Sequence, residues 1–438
     1  MSLPLFRLGS YDAFRDNGNL IFSLFEKTMT TDDLSSSSPS RREVLLMLIS
    51  GLLVVLAALG FGRFSMALIL PSMQDGLALS HARMGMLVTA AFSGYLAFSI
   101  GAGIAAARWG ASRVVVVSLF VTASAMMLTG LSHGFWSPLF LLALSGVGIA
   151  GANVPVMAMI NAWVPAQRRG VAAGILCSGG GVGLVLNGWL LPPVLAWQGW
   201  RGAWLVLGGI VLVIACWSAL VLRDAPGRPR ARVLSGREIL TEIWALLRRH
   251  AALRKLALVY FAFGFSYVIF TTFFGSYLVE TRGWTTQEAG RLWSWVGLCS
   301  LPSASFWGAV SDRIGRHRGL CIIYTLHGLC LSAFAALPWD GGIIAAALIY
   351  GFSIFSVPAI VSAACGDALP QPLIPLALGG VTVVFGSGQM AAPAVAGLML
   401  DQGWGMVENL WLSALVAFAG AVGALFLKER QELGSVPN

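Results

Sequence analysis

The stretch that decides the fold is Gly308-Ala-Val-Ser-Asp-Arg-Ile-Gly-Arg-His-Arg318, a charged turn between two long apolar runs. Charges this dense are too costly to bury in hydrocarbon, so the turn marks water between two membrane spans. Its three Arg predict that it faces the cytoplasm. Asp312 is the only acid in the turn, and we expect it to pair with Arg313, with Arg316 or with a neighbouring helix N-terminus.

The spacing of this turn resembles the cytoplasmic loop signature of the major facilitator superfamily of secondary transporters. The residues on the marked positions of that signature are Gly308, Asp312, Arg313, Gly315 and Arg316, while His317 stands where a further basic residue is usual. The resemblance implies an all-α polytopic membrane protein with twelve transmembrane helices in two six-helix repeats. It also implies a gating role for the loop.

The composition independently predicts a membrane protein. The 438 residues are 57% hydrophobic and 11% charged, with a mean hydropathy of +0.79, whereas soluble domains average about 25% charged residues. The net charge of +9 does not indicate nucleic-acid binding, because the basic residues lie in short loops between apolar runs. The Cys and His residues do not have the spacing of metal ligands, and the sequence has no catalytic His/Asp/Glu cluster. We therefore expect no enzyme activity, no metal and no cofactor.

Apolar runs long enough to cross the membrane as helices predict twelve spans. They fall at about 44–70, 83–106, 113–131, 136–160, 168–192, 202–222, 256–279, 288–310, 319–338, 342–363, 374–399 and 406–427. An even number of spans places both termini on one side, and that side carries most of the Lys and Arg of the loops. The positive-inside rule therefore predicts cytoplasmic termini. We expect a multi-pass protein of the plasma (inner) membrane.

The polar segments set the predicted domain boundaries. Residues 1–43 form a cytoplasmic tail that we expect to be disordered, without the pattern of a signal peptide and with Met29 as an alternative translation start. Residues 223–255 carry nine Lys/Arg and form a cytoplasmic linker with one amphipathic helix near 236–250. The linker separates a first bundle, 44–222, from a second bundle, 256–427, and residues 428–438 form the C-terminal tail.

An internal repeat at an offset of 205 residues supports two homologous halves. The matched pairs in the loop motif are Gly103 with Gly308, Arg108 with Arg313, and Gly110 with Gly315. The first copy has Ala107 where the second has Asp312. We therefore expect Asp312 to supply the single charge latch that biases the two access states.

A glycine-rich run, Gly174-Ile-Leu-Cys-Ser-Gly-Gly-Gly-Val-Gly183, lies in the fifth span. A nucleotide-binding loop would need a preceding strand and a Lys or an acidic partner, and the run has neither. Its small residues instead favour close helix packing.

Arg63 is the sharpest candidate for solute contact. It lies within Gly60-Phe-Gly-Arg-Phe64, about two-thirds along the first span. An ionised side chain at this depth usually faces a watery cavity and marks a substrate path. A guanidinium there suits a carboxylate or phosphate, although snorkelling to the interface is the alternative. The motif resembles a bacterial branch related to small-anion and monocarboxylate carriers.

Other polar side chains at membrane depth are candidates for the cavity lining, and His327 is a candidate for ion coupling. The lining candidates are Tyr95, Asn153, Asn187, Tyr267 and Gln389. Every Asp and Glu lies in a tail, a loop or a span end, so the carboxylate that proton-coupled carriers commonly use is missing. Coupling through His327, through the substrate's own proton, by anion exchange, or no coupling at all remain open.

The sequence thus predicts a monomeric secondary transporter that moves a small anionic organic solute by alternating access in the lipid bilayer. Two alternatives stay open. Its aromatic residues, including 16 Trp, would also suit an exporter of amphiphilic or drug-like compounds. In the fourth span, Leu142 stands where the resembled family often carries an Arg, four residues before Gly146. This departure and that at Ala107 would suit a non-transporting sensor or assembly protein that keeps the fold.

Overall fold

The computed structural model describes residues 40–165, 168–225, 236–369 and 373–427, and all regular structure in these ranges is helical. The predicted N-terminal and C-terminal tails lie outside the described residues, apart from positions 40–43. Residues 166–167, directly after Pro165, and the loop at 370–372 are not described.

The first half contains six helices and one π-helical segment. They are α1 Arg41–Val55, the π segment Leu56–Phe61, α2 Met66–Leu77, α3 His81–Trp109, α4 Ala111–Gly130, α5 Trp136–Trp163 and α6 Arg169–Val221. The first span comprises α1, the π segment and α2, so it extends to Leu77, beyond the predicted end near 70.

The second half follows the linker helix α7, Gly236–Arg249, which agrees with the helix predicted near 236–250. It contains α8 Ala251–Ser276, the π segment Tyr277–Thr281, α9 Thr286–Ser300, α10 Ser303–Ile314, α11 Arg316–Ala336, α12 Asp340–Gly351, α13 Ser356–Ala368, α14 Ile374–Asp401 and α15 Met406–Leu425. The side chains of Ile243 and Leu247 on α7 pack at Gly380 of α14.

Twelve crossings follow from these helices. Within the described ranges, ten helices are long and apolar enough to span a membrane. One of them, α6, has 53 residues and would be about 80 Å long, which is more than twice the hydrocarbon thickness. It turns at Gly199, where φ is 61°, and so forms spans five and six. Span eight is divided at Leu301 and Pro302 into α9 and α10, each shorter than a full crossing.

The two halves meet toward the ends of the spans that lie opposite residues 40 and 427, here called the far side. A Cβ added to Gly85, Gly188 or Gly275 would lie 2.1 Å from a backbone oxygen of the opposite half. These contacts join span two to span eleven, span five to span eight, and span one to span seven. The Oγ1 of Thr89 also donates a hydrogen bond to the Met390 carbonyl across the halves, at 2.9 Å. Small residues therefore allow backbone-to-backbone packing between the halves.

Candidate functional site

The first span is interrupted at mid-depth, where the backbone changes from α to π geometry. The Gly62 N–H donates to the Ala57 carbonyl and the Phe64 N–H donates to the Leu59 carbonyl, each at 3.0 Å and each five residues back. Single π turns of this kind are frequent at functional sites. Arg63 lies in the irregular residues 62–65 between this π segment and α2.

The interruption releases backbone carbonyls, and side chains satisfy them. The Asn187 Nδ2 on span five donates to the Gly60 carbonyl at 2.7 Å, and Asn187 is fully buried. The Ser65 hydroxyl donates to the Phe61 carbonyl one turn earlier. A Cβ on Gly183 would lie 2.2 Å from the Gly60 Cα, so the glycine-rich run lets span five approach the interruption. This contact agrees with the packing role predicted for the run.

The Arg63 guanidinium lies among three aromatic rings and has no carboxylate partner among the described ion pairs. Its Cζ is 4.4 Å from the ring centre of Phe92 and 5.8 Å from those of Tyr95 and Tyr267. The Nε and Nη2 atoms are buried and have no hydrogen-bond partner among the described residues. Aromatic faces attract a cation but do not satisfy its N–H donors, so these donors remain available to an acceptor.

Arg63 borders a small cavity of about 30 Å³, enough for about one water molecule. Its apolar lining includes Phe64, Met66, Val88, Ala91 and Ile149, and its polar lining includes Thr271 and Thr272. A larger cavity of about 890 Å³ lies toward the far side between spans one, five, seven and eight, and Arg63 is not among its lining residues. The site at Arg63 must therefore widen before a solute can enter it.

Most of the predicted lining residues come together around Arg63, and Asn187 has a different contact. Tyr95 and Tyr267 flank the guanidinium, and the Asn153 Nδ2 donates to the Tyr95 hydroxyl at 3.2 Å. Gln389 is buried on span eleven against Gly264 of span seven, and its Nε2 has no partner in the described part of the chain. Asn187 instead supports the backbone of span one.

His327 lies one aromatic ring away from this group. Phe263 stacks on Tyr267 at 5.0 Å and on His327 at 5.9 Å between ring centres. The His327 Nε2 forms a 2.9 Å hydrogen bond with the Ser353 hydroxyl, in the irregular residues 352–355 that interrupt span ten. His327 thus connects span nine to a second interrupted span, and its coupling role stays a prediction.

Two residues of the charged turn at 308–318 form a charge cluster with a third residue on span ten. Arg316 pairs with Asp312, which agrees with one of the predicted pairings, and its Nε bonds Asp367 at 2.9 Å. Asp367 ends span ten, and sequence reasoning did not identify it as a partner. Arg313 and its repeat counterpart Arg108 are exposed.

The first half lacks the counterpart of this charge cluster. At the offset of 205 residues, Asp312, Arg316 and Asp367 correspond to Ala107, Ala111 and Ala162. The turn itself is conserved between the halves in shape, since Gly110 and Gly315 have φ of 96° and 94°. Only glycine adopts this conformation readily. In the first half, Asp224 accepts a hydrogen bond from the Ser112 N–H at 2.9 Å instead.

Twelve helical crossings in two repeated halves, with a partly buried guanidinium between spans of both halves, are the architecture of a polytopic membrane transporter. The chain belongs to the Major Facilitator Superfamily, which it matches over residues 52–374.

Two relatives and one solved structure illustrate the similarity. The chain is 24% identical to a hexuronate transporter of Bacillus subtilis, over 78% of this chain and 84% of the relative. It is 25% identical to a D-galactonate transporter of Escherichia coli, over 90% of this chain and 97% of the relative. A crystal structure of a bacterial homologue of the human lysosomal transporter Spinster, in an inward-facing and unoccupied conformation, has a TM-score of 0.70. That similarity has 15% identity and covers 89% of this chain and 96% of the other chain.

Proposed function

We propose that this transporter moves a small organic anion and that Arg63 binds the negative group of the solute. The observation that carries the proposal is the partly buried Arg63 side chain, whose Nε and Nη2 atoms are buried and have no hydrogen-bond partner in the described residues. A planar carboxylate or sulfonate would accept two parallel hydrogen bonds there. The names of two relatives, hexuronate and D-galactonate transporters, support an anionic solute.

Arg63 is placed to link the solute to both halves. Phe92 and Tyr95 belong to span two, while Tyr267 belongs to span seven. An anion at Arg63 would therefore touch side chains of both bundles, 44–222 and 256–427, which rock against each other during alternating access. Tyr95, Asn153, Tyr267 and Gln389 would line the opened site, and Asn187 would support it from behind.

The charged turn sets the bias between access states in this proposal. The loop glycines and arginines, Gly103, Arg108, Gly110, Gly308, Arg313 and Gly315, shape the two equivalent turns, and the charge cluster at Asp312 and Arg316 latches one of them. The termini are cytoplasmic, the chain resides in the plasma (inner) membrane and it acts as a monomer. Coupling runs through His327, through the proton of the substrate or by exchange of two anions, or the solute moves without coupling.

Ligand-induced thermal stabilisation of the purified protein tests the role of Arg63. A panel of small carboxylates and sulfonates should raise the melting temperature of the wild type, and Arg63→Gln should abolish that increase. Arg83→Gln is a matched control, because Arg83 also lies over an aromatic ring, that of Phe135 at 5.6 Å, but is near the far-side end of span two. Equal stabilisation of the wild type and Arg63→Gln would refute anion binding at Arg63.

A further inference from the structure

The linker helix α7 lies at the level of the membrane surface. Only one residue separates its end from α8, the helix of span seven. The side chains of Ile243 and Leu247 pack at Gly380, which lies six residues, or about 9 Å, inside the start of α14. Lipid headgroups surround the ends of membrane spans at this depth. The faces of α7 that do not pack on the protein are therefore close to headgroups.

The side chains of α7 divide into three faces. At about 100° per residue, one face consists of the buried Ile243, Leu246 and Leu247. Both acids of the helix, Glu238 and Glu242, lie together on a second face, which is exposed. The third face, here called the basic–apolar strip, consists of exposed side chains three or four residues apart: Arg237, Leu240, Trp244 and Arg248.

The basic–apolar strip has the chemistry of a surface that binds anionic lipid. Its apolar members, Leu240 and Trp244, are 40% and 57% exposed, and Trp is enriched where hydrocarbon meets headgroups. Its arginines, Arg237 and Arg248, take part in none of the ion pairs of the described residues, so their guanidiniums are open to phosphate groups. The acids of α7 lie on the second face, where they do not repel phosphate from the strip.

We propose that the basic–apolar strip binds the anionic phospholipids of the leaflet beside the linker. Leu240 and Trp244 insert between the headgroups, and the two arginines of the strip contact lipid phosphates. Because α7 also packs on span eleven, bound lipid holds the linker against the second half. This surface lies outside the solute site, so its lipid binding does not depend on anion binding at Arg63.

Hydrogen exchange of the backbone amides of α7 tests lipid binding in nanodiscs that contain the full chain. Exchange should be about 5- to 30-fold slower in phosphatidylglycerol than in phosphatidylcholine, because each of the two arginines contributes about a fivefold factor near an anionic surface. The amides of α8 supply an internal reference, since they should exchange alike in both lipids. Equal exchange of α7 in the two lipids would overturn the proposal.

Arg248→Gln and Arg249→Gln form a matched pair of variants. The two arginines are adjacent and exposed, but Arg249 lies on the face of Glu238 and Glu242 and not on the strip. Arg248→Gln should reduce the effect of phosphatidylglycerol about fivefold, whereas Arg249→Gln should leave it unchanged. Equal reductions in both variants would show a general effect of charge and would overturn the assignment to the strip.

Two further measurements test the apolar contact and the identity of the ligand. Trp244→Gln should speed the exchange of α7 in both lipids, because it removes an anchor that does not depend on headgroup charge. An unchanged rate in this variant would overturn the insertion of the strip. Inorganic phosphate added to phosphatidylcholine nanodiscs should not slow the exchange. Slower exchange with phosphate alone would assign the arginines to a soluble anion and would overturn binding to a lipid surface.

Discussion

Replacing Asn187 with leucine tests whether the interruption of span one positions Arg63. The Asn187 Nδ2 supplies the hydrogen bond to the Gly60 carbonyl, which the π turn removes from the regular helix pattern. Leucine has a similar size but no donor. The variant would leave a buried carbonyl unsatisfied three residues before Arg63, so the backbone there should relax toward a regular helix and rotate the guanidinium.

The free-energy cost of Asn187→Leu follows from two buried polar atoms. Leaving a buried acceptor without a donor costs about 1–3 kcal/mol. Part of that cost is offset, because the Asn187 Oδ1 is itself buried without a partner and disappears in the variant. A net loss of about 1–2 kcal/mol is therefore expected, equivalent to about a 5- to 30-fold change in an equilibrium constant. We expect anion affinity to fall by up to this factor.

Asn409→Leu is the matched control. Its Nδ2 donates to the Ala396 carbonyl at 3.1 Å, its side chain is also buried, and its Oδ1 also lacks a partner in the described residues. The bond joins spans eleven and twelve, away from span one. Both variants should lower the melting temperature, but only Asn187→Leu should lower anion affinity, measured by calorimetric titration of the purified protein. Equal loss of affinity in both variants would refute a positioning role for Asn187.

Three further predictions follow from the charge cluster, the glycine-rich run and the buried histidine. Asp312→Asn should slow transport by up to about fivefold at normal membrane abundance, because an exposed ion pair contributes up to about 1 kcal/mol and the first half has no second charge cluster. Unchanged initial rates of uptake or export would contradict this prediction. Gly183→Ala should destabilise the protein by about 1–3 kcal/mol, because its Cβ would overlap the Gly60 backbone. Gly174→Ala should not destabilise the protein, because a Cβ at that position meets no atom within 4 Å. Thermal denaturation of both variants measures the difference. His327→Gln should preserve anion exchange but flatten the pH dependence of net uptake if the imidazole carries the coupling proton; an unaltered pH profile would exclude that route.

The fold could be predicted from the sequence because its determinants are local. Long apolar runs between charged turns specify membrane helices, and the repeat at 205 residues specifies two equivalent halves. The interruption of span one could not be predicted in this way. It depends on a hydrogen bond between Asn187 and Gly60, which are 127 residues apart, and on the close approach of Gly183.

The members of the candidate site could be predicted only in part, because most of their contacts join residues that are far apart in the sequence. A charged residue within an apolar run is visible in the sequence, so Arg63 could be identified without a structure. Its aromatic neighbours come from spans two and seven, and only the packing of the helices places them there. The role of Asp367 as a partner of Arg316 was missed, although a signal existed: three alanines replace the whole cluster in the first half.

Counterflow in liposomes tests the central claim, that Arg63 holds the negative group of the solute, most directly. The labelled anion should be the small carboxylate or sulfonate that the wild type exchanges fastest, so that the result does not depend on the rest of the solute. Removing a charge-assisted hydrogen bond costs about 1.5–3 kcal/mol, so Arg63→Ala should lower the exchange rate at subsaturating anion by about 10- to 150-fold. Arg63→Lys should retain part of the rate, because it keeps the charge and loses the paired geometry. Exchange by Arg63→Ala at the wild-type rate would contradict the claim.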